Sequence, residues 1–302
     1  MKKKFLVLYF LLNVCINYAQ NETELFSFEY SNSGQSFIEN ESYDFLNYVK
    51  TSTTSLNASL SFGHPLGKKG WEAFYSLDYR QVRQKLDLSE VIQNLNFNNI
   101  PNNFYQQPKF SQLSLVTGVS KEISVKWKGT ALFSFNATDD FFKSEIDFNL
   151  NWGGMAYLEK RQNERFTFGF GLFLNQLENR LLVAPVASLK FQNQKRGIEI
   201  LFPEKIRLWQ KVSRNNYLEI LATTQSYSIA YAAENEVSTA DVYIIKAGVA
   251  YNYLWEGFLK LSVGFDFPLS FHTISTPTET IDYSQQSGLG FKLGISIIFS
   301  NE

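Results

Sequence analysis

Chemistry in this chain would have to begin at a Ser–His pair, because only two histidines are present. His272 has Ser270 two residues before it and Ser275 nearby. In a strand, a spacing of two places Ser270 and His272 on one face. An imidazole beside a hydroxyl can turn a weak nucleophile into an acylating one, as in enzymes that modify membrane lipids. Such a site also needs a third group to orient the base, and the sequence offers none. His272 is therefore read as a polar residue at the outer end of a strand. His64 precedes Pro65 and is read as a turn residue. No nucleotide-binding loop, His/Cys metal spacing or carboxylate pair of defined geometry occurs. Asp139-Asp140 and Asp282 fall in expected outer loops, where calcium would find oxygen ligands but nothing further marks a site. No catalytic, cofactor-binding or metal-binding residue is assigned, and no enzyme is expected.

Composition narrows the class. The 28 basic and 29 acidic residues give a net charge of -1, without blocks of either sign, so no footprint for nucleic acid exists. Aromatic content is high, with 28 Phe, 16 Tyr and 5 Trp, while 7 Pro and 17 Gly argue against a low-complexity chain. Lys2, Lys3 and Lys4, the apolar run Phe5 to Leu12 and the small residue Ala19 read as a secretory signal over residues 1–20. Cys15 would be a lipoprotein cysteine only after a small residue, and Val14 stands there instead. Cleavage after Ala19 or Gln20 removes the one cysteine, so the mature domain, 21–302, is expected to hold together without disulfides.

Positions 289–299 show the element that must position everything else. Leu289, Phe291, Leu293, Ile295, Ile297 and Phe299 fall on one face, with Gly290, Lys292, Gly294 and Ser296 on the other. The same period of two runs through Leu259 to His272, Phe166 to Asn175, Ile146 to Trp152 and Leu56 to Phe62. Several runs reach the nine to eleven or so residues that a tilted strand needs to cross a bilayer, beyond the usual five or six. Aromatic and aliphatic residues oppose small and polar ones, the arrangement expected when lipid lies outside and water inside. The fold expected is all-β: a transmembrane antiparallel up-and-down barrel.

Connections alternate in length. Short turns are expected at His64 to Gly70, Lys121 to Ser124, Glu159 to Glu164, Gln192 to Arg196, Ser213 to Asn216 and Leu254 to Gly257. Longer loops are expected at Ser31 to Tyr48, Leu86 to Lys109, Ala232 to Ala240 and Thr273 to Ser287. Trp71, Trp127, Trp209 and Trp255 lie near the short turns, as in a periplasmic aromatic girdle. The evident segments come to an odd number, which puts the termini on opposite sides. Splitting Gly197 to Val212 at Pro203 and Glu204 restores parity and gives about 14 strands, with 12 as the alternative.

The faces opposite the apolar ones carry Glu72, Asp78, Arg80, Lys126, Lys128, Asp147, Lys246, Lys260, Asp266 and Lys292. With both signs present in comparable number, they suit either a hydrated pore or a ladder of ion pairs that stiffens the lumen, the second being preferred. The loop 86–109 contains a capping box at Asp87 and Glu90, then Leu88, Val91, Ile92 and Leu95 at helical spacing. Asparagines follow around Ile100-Pro101. A helix packed on the rim is preferred to a lid.

The signal ending Tyr18-Ala19-Gln20, the Ala184-Pro185 strand, the run Ile198 to Pro203 and the basic Lys205-Ile206-Arg207-Leu208 resemble outer-membrane barrels of the Bacteroidota, including a family known only as a domain of unknown function. The last strand, ending at Phe299, resembles the C-terminal aromatic signal of such barrels, although Ser300, Asn301 and Glu302 follow it. The resemblance implies a barrel in the cell outer membrane, surrounded by lipid and lipopolysaccharide and inserted by the barrel-assembly machinery, without an implied activity. A passive pore or small-solute channel is the leading expectation for function. The alternative is a closed structural or surface-binding barrel, followed by a lipid-modifying enzyme and a secreted soluble β protein.

Overall fold

A computed structural model describes residues 23–34, 36–39, 50–67, 70–87, 109–139, 149–177, 180–233, 236–275, 280–286 and 288–299. The expected loop helix after Asp87 and Asp147 lie outside these residues, as does the signal.

The strands are β1 (Thr23–Asn32), β2 (Ser36–Glu39), β3 (Lys50–Pro65), β4 (Trp71–Asp87), β5 (Lys109–Ser124), β6 (Trp127–Asp139), β7 (Asn149–Asn163) and β8 (Phe166–Leu177). They continue as β9 (Arg180–Gln192), β10 (Arg196–Phe202), β11 (Lys205–Lys211), β12 (Asn216–Ala233), β13 (Glu236–Trp255), β14 (Leu259–Ser275), β15 (Thr280–Gln286) and β16 (Gly290–Phe299). Each pairs antiparallel with its neighbour, and β1 closes the ring by pairing with both β16 and β3. β14 pairs with β16 over one part of its length and with β15 over another, so β15 and β16 form one interrupted stave. β1 and β2 form a second, since β2 bridges β15 and β3 beyond the end of β1. The barrel therefore has 14 staves, as parity requires.

The outward face answers which side meets lipid. Leu115, Phe135, Phe170, Leu172, Ile220, Phe265, Phe267 and Leu293 are exposed on it, from 45% upwards. The inward face holds serines paired across strands, Ser27 with Ser59 at 2.6 Å and Ser31 with Ser55 at 2.7 Å. A soluble barrel would reverse this distribution. Cross-strand neighbours add aromatic contacts to the outer belt: Phe62 stacks on the directly opposed Tyr75 at 5.2 Å, and Tyr75 on the diagonal His64 at 5.8 Å. His64 thus closes strand β3 on its outer face rather than forming a turn.

Several expected boundaries shift. Lys121 to Ser124 is still strand, with an irregularity between Glu122 and Ser124, and the turn falls on Val125 and Lys126. Lys126 is consequently exposed at the rim instead of facing the lumen. Most of Glu159 to Glu164 is likewise paired, as β7 reaches Asn163. The loops expected at Ala232 to Ala240 and Thr273 to Ser287 are largely ladder, since β12 and β13 pair as far as Ala233 and Glu236, and β15 contains Asp282. β13 has 20 residues, about 66 Å along the strand, which outruns an apolar band roughly 25 Å tall even when tilted. The wall projects beyond the bilayer, where alternation is no longer imposed by lipid.

One stretch of wall is incomplete. β10 and β11 have only 7 residues each, and their turn at Pro203 and Glu204 stops level with Ala187 of β9 and Thr223 of β12. A bond from the Glu204 N–H to the Leu201 carbonyl closes this turn at 2.8 Å. Beyond it, among the described residues, no ladder joins Arg180–Val186 to Thr224–Ala233. Pro185, which has no N–H to contribute, lies in that open edge. Leu181 and Val183 beside it are 55% and 56% exposed.

Candidate functional site

The interior is the site, and its shape follows from β12. Along Leu218 and Ile220 this strand keeps its apolar face outward, with Glu219 turned inside. Past Thr224 it loses β11 as a neighbour and leans across the lumen. Ser226, on the face that points outward lower down, accepts a bond of 2.7 Å from Asn175 on the inner wall of β8. On the opposite side Arg80 of β4 donates to Gln225. The strand thereby covers inner-wall groups that would otherwise be wet: Thr138, Asn151 and Asn175 are 2%, 4% and 6% exposed. Val82 of β4 packs with Val242 and Ile244 of β13 across the same region. Among the described residues, β12 therefore narrows the outer half of the lumen.

The other half is open. A vestibule of 2280 Å³ occupies the short-turn end. A polar chamber of 420 Å³ lies deeper, lined by Asn57, Asp78, Gln112, Asn136 and Thr223 among others. Ser27, Glu29, Glu219, Leu221, Ala250 and Lys292 border both spaces, so the two meet at a neck.

Charged side chains hold that neck. Lys246 Nζ lies 2.7 Å from Asp266 and 3.3 Å from Glu29, while Lys292 reaches Glu29 at 2.5 Å. Four residues from β1, β13, β14 and β16 thus form one alternating chain of charge. Arg207 bridges Glu219 at 3.2 Å and Glu199 at 3.9 Å, and Lys205 also holds Glu199 at 2.9 Å. Lys260 pairs with Glu24, and Lys128 with Glu72 at 2.7 Å. Asp78 accepts from Ser76 at 2.9 Å. Of the lumen charges expected from the sequence, Glu72, Lys128, Lys246, Lys260, Asp266 and Lys292 enter this system. Glu24, Glu29, Glu199, Lys205, Arg207 and Glu219 were not foreseen. The period of two would have found them, because Glu29 stands between Phe28 and Tyr30, and Glu219 between Leu218 and Ile220.

The tryptophans separate into two roles. Lys121 lies 4.9 Å over Trp71, and Lys160 lies 5.5 Å over Trp127, each pair directly opposed in its ladder. Such amphipathic pairs suit a membrane boundary. Trp209 departs from the expected girdle: it faces the vestibule and its ring covers Gly197, where a Cβ would collide with the indole.

The possible Ser–His pair divides as follows. Ser270 is buried in the wall at 7% exposure. The backbone of His272 pairs with Val242 and Tyr283, and its side chain lies outside what is described. Among the described residues, no group of three or more His, Cys, Asp or Glu is placed to hold a metal ion.

Residues 80–295 match the family described as "Domain of unknown function (DUF6268)". The chain belongs to this family. The matched region runs from mid-β4 to β16 and so includes the incomplete wall, the leaning β12 and three of the four residues at the neck. No curated protein matches the chain. Among solved structures, it is similar to a FadL homologue of Pseudomonas aeruginosa, with 10% identity over 91% of this chain and 89% of that one, at a TM-score of 0.43. It is also similar to the translocator domain of the autotransporter NalP from Neisseria meningitidis, with 11% identity over 98% and 96%, at a TM-score of 0.39.

Proposed function

We propose that the protein is an outer-membrane barrel through which small polar solutes pass, by way of the vestibule, the charged neck and the chamber. The observation that carries this reading is the continuity of the two spaces at Ser27, Glu29, Glu219 and Lys292. The passage is narrow and lined by paired charges, which favours restricted solutes over bulk flow. The outward apolar belt supports a location in lipid, with lipopolysaccharide against the longer-loop end and barrel-assembly machinery as the route of insertion. Export by the signal at 1–20 and an origin in the Bacteroidota belong to the same reading.

A second reading, a closed structural barrel, is favoured by the packing of Val82 on Val242 and by the inward lean of β12. Planar-bilayer recording of the refolded protein separates the two. Small discrete steps that scale with salt support passage. Electrical silence from a folded, heat-modifiable barrel supports closure.

A further inference from the structure

The chain as a whole is close to neutral, yet its vestibule is not. The described residues that line it comprise ten basic and six acidic side chains. The excess is local. On the β1, β14 and β16 side, the ion pairs Lys260–Glu24 and Lys292–Glu29 balance charge against charge. On the side formed by β8 to β12 and their turns, Lys205 and Arg207 are matched by Glu199 and Glu219. Six more cations stand on that side, Arg165, Lys190, Lys195, Arg196, Lys211 and Arg214, against one further carboxylate, Glu164 beside Arg165. All six are exposed; Lys190 stands opposite Glu199 and attracts it through space, while the other five enter no ion pair among the described residues. Gly197 and Trp209 bring two of these segments together, with the Lys211 N–H bonded to the Lys195 carbonyl at 2.7 Å. The lumen charges named from alternation balance in sign because none was taken from the hairpin β10–β11, although the split at Pro203 marked that hairpin.

We infer that this vestibule is an anion funnel, which draws small solutes bearing carboxylate or phosphate groups to the neck from the short-turn side. This rests on the reading of the barrel as a passage. A concave surface of one sign, set in low-dielectric walls, concentrates counter-ions and focuses their field. The paired charges deeper in add little net field, so selection is set at the mouth and the neck imposes size. The exposed cations act over a Debye length, about 10 Å at 0.1 M salt and about 3 Å at 1 M, so selection weakens as salt rises.

The test is the reversal potential of the conducting protein in a potassium chloride gradient. The expected result is chloride over potassium by about three-fold or more near 0.1 M, falling toward parity at 1 M. A combined Lys195→Glu, Arg196→Glu, Lys211→Glu and Arg214→Glu variant alters only exposed rim side chains and is expected to reverse the preference. Conductance that is cation-selective or unselective overturns the funnel and leaves the passage standing. Silence overturns the passage, and the funnel is then judged by fluorescence. With Trp71, Trp127, Trp152 and Trp255 changed to Phe, Trp209 reports from the vestibule. Iodide should quench it about three-fold more strongly than caesium at low salt, with the order reversed in the rim variant. Equal quenching, or stronger quenching by caesium, overturns the funnel.

Discussion

Lys246→Ala removes the residue that ties the neck together. Its ammonium lies between Asp266, whose side chain is 5% exposed, and Glu29, at 25%. Removing one partner of a buried ion pair costs about 3–5 kcal/mol, because the remaining charge is left without compensation. Glu29 keeps Lys292 at 2.5 Å and retains some contact with water. The loss therefore falls mainly on Asp266, and about 2–3 kcal/mol is expected. With a urea slope of about 2 kcal/mol/M, the unfolding midpoint should fall by about 1 M. The assay is urea unfolding in detergent, followed by the heat-modifiable gel band and by tryptophan emission. Asp266→Asn and the double variant complete a cycle, in which the double loss should be smaller than the sum by about 1–2 kcal/mol. An unchanged midpoint in Lys246→Ala, or strict additivity in the cycle, would refute the argument that these charges are coupled in a dehydrated neck.

Gly197→Ala should destabilise the barrel by about 1–3 kcal/mol and shift Trp209 emission, because the indole must leave the glycine it covers; unfolding curves read at 330 and 350 nm, or at about those wavelengths, check both effects together. Leu115→Arg, on the lipid face, should cost about 2–4 kcal/mol, whereas Ser114→Arg, on the lumen face one residue away, should cost far less. Comparative refolding yields into lipid vesicles would show no difference if the two faces were misassigned. At the incomplete wall, a bimane probe on Ala184→Cys in a Cys15→Ser background should be quenched by brominated acyl chains. The same probe at Ser134, on the inner face of unbroken wall, should not be, and equal quenching at both positions would mean that lipid does not enter between β9 and β12.

Much of the fold could be read from period-two alternation, because a lipid boundary imposes it on every stave within the bilayer. Even the split at Pro203 followed, since a proline with a turn-forming Glu204 cannot continue a central ladder. Legibility failed where the lipid stops. Glu236 to Asp241 pairs regularly with β12 but carries no apolar face, and so reads as loop. The same holds for β15, where polar residues continue a ladder above the membrane. The neck was half legible: alternation assigns Lys246, Asp266 and Lys292 to the inside, but their meeting with Glu29 depends on barrel closure between β1 and β16. The lean of β12 had no signature at all. It arises because β10 and β11 end early, and an edge that loses its neighbour finds new partners in Asn175 and the inner wall. The basic mouth was present in the sequence as Lys190 to Arg214, and only the barrel shows that these side chains share one cavity.

The central claim is that solutes pass the neck, and chemical block at Ser27 tests it most directly. Ser27 borders both the vestibule and the chamber and faces Ser59 across the wall at 2.6 Å. In a Cys15→Ser background, Ser27→Cys should give channels whose unit current falls by half or more when a bulky thiosulfonate reagent is added, by an estimate of about half from the loss of pore width. Channels from Ser27→Cys that conduct unchanged after verified modification would contradict the account, because current would then be passing by some route other than this neck.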